Sequence, residues 1–102
     1  MSYKYVLDAN GEPIVCDDLM QWCEFMQTGN RKVASMTAGD VKVSTVFLAL
    51  DHNFASTGPP LLYETMIFGG EHDKYQERCS TRAQALEQHL RACAVAWPKD
   101  KP

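Results

Sequence analysis

The chain has 102 residues, 45% of them hydrophobic and 23% charged, with ten Lys/Arg against thirteen Asp/Glu. That length supports one small domain with one core, and the composition is that of a globular chain rather than a disordered or fibrous one. A net charge of −3 argues against a protein that holds nucleic acid mainly by its phosphates.

Met1 to Asp8 places no long apolar stretch behind a basic start, so no secretory signal is expected. The longest apolar run, Val46 to Leu50, is far short of the roughly 20 residues that cross a bilayer. A cytoplasmic protein that does not engage the membrane is expected. Cys16, Cys23, Cys79 and Cys93 form no C-x-x-C pair, which speaks against structural zinc and for four free thiols. No metal and no cofactor are expected.

In chain order, Tyr3 to Leu7 alternates as a strand, and Asn10-Gly11 is a turn signal. Pro13, lacking an N–H, confines any second strand to an edge. Asp17 is the expected cap of a helix that buries Leu19, Cys23 and Met26, with Trp22 beside them. Thr28-Gly29-Asn30 stops it. Arg31 to Thr37 alternates weakly, and Ala38-Gly39-Asp40 turns. Val41 to Leu50 is the strongest strand signal, with Val41, Val43, Thr45, Phe47 and Ala49 on one side. A polar loop, 51–60, leads to a strand over Leu61 to Phe68, where Tyr63, Thr65 and Ile67 oppose Glu64, Met66 and Phe68. Gly69-Gly70 ends it, and Lys74 to Cys79 suits one more short strand. Thr81-x-x-Gln84 is a capping box. Behind it Leu86, Leu90, Cys93 and Trp97 form the apolar stripe of a helix that Pro98 ends.

The expected fold is α+β: a small, mostly antiparallel sheet of four or five strands with two helices on one face. Residues 1–97 form the single domain and 98–102 a tail. Two helices cover one side of such a sheet; the apolar residues on the other side point to a homodimer or a dimer-based oligomer.

Asp51-His52-Asn53-Phe54 lies where a buried strand opens into a loop, a place that often carries function. Asp51 and Asn53 could equally tie the turn's own backbone, with His52 and Phe54 closing one end of the core. Glu64 shares a strand face with apolar residues and must be paired, hydrogen-bonded or at an interface. Arg78 and Arg82 flank a strand–helix junction, where both could converge on an anion or form an exposed rim. His89 borders the apolar stripe as a half-buried packing residue, and Thr45 reads as strand filler. No phosphate-binding loop, nucleotide fingerprint, nucleophile elbow or zinc-protease motif occurs, so no catalytic residue is assigned and a non-enzymatic role is expected.

The runs Val43-Ser44-Thr45-Val46-Phe47-Leu48-Ala49-Leu50-Asp51-His52-Asn53-Phe54 and Gly58-Pro59-Pro60-Leu61-Leu62-Tyr63-Glu64-Thr65-Met66-Ile67-Phe68-Gly69-Gly70, with Arg78-Cys79-Ser80-Thr81 and His89, resemble a widespread family of small, uncharacterised phage and prophage proteins. Ala49 stands where that resemblance would place glycine, and Cys79 where it would place tyrosine. The strand–loop–strand segment is also similar to that of phage Thoeris anti-defence proteins, non-enzymatic sponges that sequester cyclic ADP-ribose isomers. This likeness implies a counter-defence protein that captures a small nucleotide-like ligand. On that reading Phe54 stacks on a base, Asn53 and Glu64 bond its edge or a ribose, and Arg78 or Arg82 holds the diphosphate. An inhibitor of a host defence protein, acting through Asp17, Asp18 and Glu24, is the alternative. A small hydrolase using His52 with Asp51 or Glu64 is the third.

Overall fold

The computed structural model describes residues 3–55 and 57–98. The expected tail beyond Pro98 therefore lies outside the described residues. Six strands and two helices follow in the order β1 (Tyr5–Leu7), β2 (Pro13–Val15), α1 (Leu19–Thr28), β3 (Lys32–Ala38), β4 (Val41–Phe47), β5 (Tyr63–Phe68), β6 (Gln76–Cys79) and α2 (Arg82–Ala96). The strands form a four-stranded antiparallel sheet in the order β3-β4-β5-β6 and a separate two-stranded hairpin, β1-β2. The chain is an α+β fold with its helices on one face of the larger sheet.

Alternation dictates what that sheet buries. Val43, Thr45 and Phe47 on β4, with Tyr63, Thr65 and Ile67 on β5, are completely buried beneath the helices. Phe47 is the centre of an aromatic cluster. The Phe25 ring meets it edge-on at 6.0 Å and the Tyr63 ring lies 5.4 Å away. Phe25 thus ties α1 to the sheet. At the far end Val43, Ile67 and Ala92 make a second cluster, which Trp97 covers.

The opposite face is mixed rather than apolar. Register places Lys42 and Thr37 beside Phe68, Ser44 and Ser35 beside Met66, and Lys32 and Val46 beside Glu64 and Arg78. The Arg78 Nε donates to Glu64 Oε2 at 2.9 Å, and Gln76 donates to the same oxygen. The carboxylate expected to need a partner has two.

Several local expectations change. The α1 cap is Asp18, not Asp17: its Oδ1 accepts from Met20 N at 2.9 Å and Gln21 N at 3.1 Å. Trp22, Phe25 and Met26 turn inward, whereas Leu19, expected on the buried face, is exposed. On α2 the buried stripe is Ala85, Gln88, His89 and Ala92, whereas Leu86 and Leu90 are 43% and 70% exposed. The buried set sits one residue earlier than the leucine stripe, about 100° round the helix. Small side chains at Ala85 and Ala92 let α2 lie close to the sheet, and Gln88 and His89 answer polar groups beneath them. The capping box is present, with Gln84 N donating to Thr81 Oγ1 and Ser80 N and Thr81 N donating to Gln84 Oε1.

β4 stops at Phe47, short of the expected Leu50. The cause is Ala49, which adopts a left-handed backbone with φ +64°. A Cβ there costs about 1–2 kcal/mol, and this is the position where the family resemblance places glycine. The kink aims the Ala49 carbonyl at two donors, Tyr5 N at 2.9 Å and Trp22 Nε1 at 3.0 Å. One residue therefore docks both the hairpin and α1 onto the end of the sheet. Asp51 N then donates to Tyr3 O, extending the contact. At the other end, a Cβ on Gly69 would collide with the Asp40 carbonyl, and its φ is +89°. Only glycine suits that site.

Candidate functional site

The loop after β4 is built by its own polar side chains. Asp51 Oδ1 accepts from Asn53 N at 2.8 Å and from Leu61 N at 3.0 Å, closing the loop's two ends. The Asn53 amide donates to Thr57 O and Pro59 O, and its Oδ1 accepts from Ala55 N. Both side chains are spent on the backbone, the structural alternative weighed for them. His52 Nδ1 lies 2.9 Å from Leu50 O. A carbonyl only accepts, so Nδ1 carries the proton and Nε2 is left as an acceptor. The His52 ring stands 6.1 Å from that of Phe54.

Phe54 itself is 87% exposed and Tyr3 63%. Between them, Leu50, Asp51, Asn53 and Ala55 border an open cavity of about 580 Å3, within the usual size range of small-molecule pockets. Its mouth is mainly apolar. An exposed ring held on a loop that its own hydrogen bonds have stiffened is a pre-formed stacking surface.

The remaining expected site residues do not join this group. Glu64 and Arg78 bond each other on the open sheet face, and Arg82 begins α2 on the helix-bearing side. Arg78 and Arg82 do not converge: Arg78 is paired with Glu64 on the open face, whereas Arg82 acts on Tyr63, which points to the helix-bearing face. None of the three lines the cavity. Asp51, His52 and Glu64 are not linked by any hydrogen bond, each being engaged elsewhere, which leaves the hydrolase reading without its acid–base pair. Among the described residues no group of His, Cys, Asp and Glu is arranged to hold a metal. No helix among them is long and apolar enough to cross a membrane.

No family model, no curated protein and no solved structure matches the chain.

The polar chemistry that sequence reading missed is beneath α2. Thr45 Oγ1 lies 2.6 Å from Thr65 Oγ1 and 2.8 Å from His89 Nδ1. Gln88 Nε2 donates to Thr65 Oγ1 and to Glu77 O, both at 2.9 Å. Thr45, Thr65, Gln88 and His89 are all buried. The amide must point its N–H groups at the Glu77 carbonyl, which cannot donate. Only one direction then satisfies every proton: Gln88 to Thr65, Thr65 to Thr45, Thr45 to His89 Nδ1. His89 is accordingly neutral, with its proton on Nε2. Two buried polar atoms, Gln88 Oε1 and the Tyr63 hydroxyl, have no partner among the described residues. Burial raises the Tyr63 pKa, with Arg82 opposing it, and raises the Cys79 and Cys93 thiols. Both cysteines are held as thiols rather than nucleophilic thiolates.

Burial lowers the His89 pKa below its ordinary value, about 6.5 for imidazole. Between the lowered value and 6.5 the unfolded chain binds more protons than the folded one, so stability falls as pH drops through that window. Thermal midpoints measured from pH 7.5 to pH 5 should decline. In His89→Asn, whose amide oxygen keeps an acceptor for Thr45 without titrating, that decline should be shallower. An equal slope in both proteins would place the titration elsewhere.

Proposed function

We propose that the chain captures a planar, nucleotide-derived ligand without turning it over, and acts in the cytoplasm of a host cell as a phage or prophage counter-defence sponge. The carrying observation is the cavity of about 580 Å3 flanked by the exposed rings of Tyr3 and Phe54. The family resemblance supplies the ligand class. Arginines do not line the cavity, so the grip falls on the base and sugar, with phosphates outside it. Capture by a homo-oligomer is part of this reading.

The direct test incubates the protein with cyclic and ADP-ribose-derived nucleotides, then releases whatever is held by heat. A raised thermal midpoint and an intact released nucleotide are expected. No shift and no recovered nucleotide across the panel would overturn the proposal. Stacking of a base on an aromatic ring contributes about 1–3 kcal/mol, so Phe54→Ala should weaken binding by about 5- to 150-fold. Its stability without ligand should be unchanged, because the ring is exposed.

One observation favours the second reading, inhibition of a host defence protein. Helix α1 exposes Leu19 and Met20 beside Asp17 and Glu24, an apolar patch with an acidic rim. Asp18 is occupied as the helix cap. A stoichiometric protein recovered from host lysate, with no nucleotide retained, would favour inhibition over capture.

A further inference from the structure

The sheet has two outer edges, and they differ. β6 is short and charged: Glu77 binds Arg91 of α2 at 2.8 Å and the Tyr75 hydroxyl at 3.0 Å, and Arg78 binds Glu64. Charges of this kind discourage edge-to-edge pairing. β3 runs seven residues, Lys32–Ala38, with its one charge at the start and no proline. No described strand pairs with its outer side.

The hydrogen-bond parity shows which groups that edge offers. Leu48 N donates to Leu62 O and Phe47 N to Arg31 O. Even-numbered residues of β4 therefore bond toward β5, and odd-numbered ones toward β3. Thr45, Val43 and Val41 face Ala34, Met36 and Ala38, so Ser35 and Thr37 direct their N–H and C=O groups outward.

Apolar surface lies along the same flank. Met36 is 53% exposed and shares the helix-bearing face with Val43. On α2, Gln88 and Arg91 reach toward β6, so the flank carrying exposed Leu86 and Leu90 is turned away from β6, toward β3.

We propose that β3 is the two-fold interface of a homodimer, pairing antiparallel with β3 of a second copy about an axis at Met36 to give an eight-stranded sheet. The proposal deepens the homo-oligomer part of the reading above and rests on it. An axis at Met36 pairs outward-facing Ser35 with Thr37 of the second copy, as an antiparallel ladder requires. It sets the two Met36 side chains together beneath the exposed leucines and places small residues, Ala34 and Ala38, opposite each other. It also brings Lys32 of each copy beside Asp40 of the other. Neither has an ion-pair partner among the described residues of its own chain. The strand is therefore self-complementary in hydrogen bonds, apolar surface and charge.

Light scattering and sedimentation of the full chain, without ligand, test this. Wild type should show twice the monomer mass at micromolar concentration. Met36→Asp should weaken the dimer by at least about 100-fold, since it sets two carboxylates across the axis, with an unchanged circular dichroism spectrum. Met36→Cys should form an intermolecular disulfide under mild oxidation, because a non-hydrogen-bonded pair spaces its Cα atoms about 4.5 Å apart, within disulfide reach. Ser35→Cys and wild type should not. A monomeric wild type, or a dimer that persists in Met36→Asp with no Met36→Cys disulfide, would overturn the interface. A monomer that still retains nucleotide would remove the interface and leave capture standing; a β3 dimer that retains none would do the reverse.

Discussion

Replacing Phe47 by alanine should cost about 3–5 kcal/mol, a large part of the stability of a domain whose total is of the order of 5–15 kcal/mol. The ring has no exposed surface. It meets Phe25 from α1 and Tyr63 from β5, so its loss opens a cavity and detaches a helix in one step. Urea titration should show a lower midpoint with an unchanged slope if the variant still folds in two states. Phe25→Ala should cost less, because that ring is only half-buried. A loss below about 1 kcal/mol for Phe47→Ala, far under the range for buried aromatics, would mean that the cluster is not the core.

Thr45→Val should be the second most damaging change, and its cause is different. Valine keeps the shape but removes a hydroxyl that both accepts from Thr65 and donates to His89. Two buried groups are stranded, at about 1–3 kcal/mol each. Thr65→Val strands chiefly one Gln88 N–H and should cost less. The double variant should cost less than the sum of the singles, because the Thr65 proton orphaned by the first change is removed by the second. Strict additivity in a double-mutant cycle would show that the hydroxyls act separately and that the directional chain is wrong.

The sheet was legible where alternation was clean. Val43, Thr45 and Phe47, and Tyr63, Thr65 and Ile67, declared one buried side, and the Asp51–Pro60 loop joined the strands as an antiparallel pair. Helix α2 was misread because leucine is the loudest hydrophobic signal. Leu86 and Leu90 marked an exposed flank, while the sheet selected alanine for closeness and Gln88 and His89 for polarity. A signal for the network was present: two threonines at the same depth of adjacent buried strands require partners. Thr45 was passed over because a lone threonine suits any strand. In the loop, Asp51 and Asn53 were legible as turn builders, but the companion expectation that Phe54 closes one end of the core fails, because its ring is exposed. The Arg78–Arg82 anion site failed because spacing along the chain does not tell which face of a sheet a side chain takes.

The helix that supplies Gln88 and His89 follows every described strand along the chain. During synthesis, Thr45 and Thr65 therefore wait without partners, and Phe47, Tyr63 and Ile67 without a cover, until α2 leaves the ribosome. Contacts between residues 45 and 89 close late and at an entropic cost, and the incomplete sheet presents an unguarded β3 edge meanwhile. A chain halted within β6 is thus a set of strands with a bare apolar face rather than a smaller version of the fold, and the nascent protein depends on α2 emerging to cover that face before neighbouring chains do.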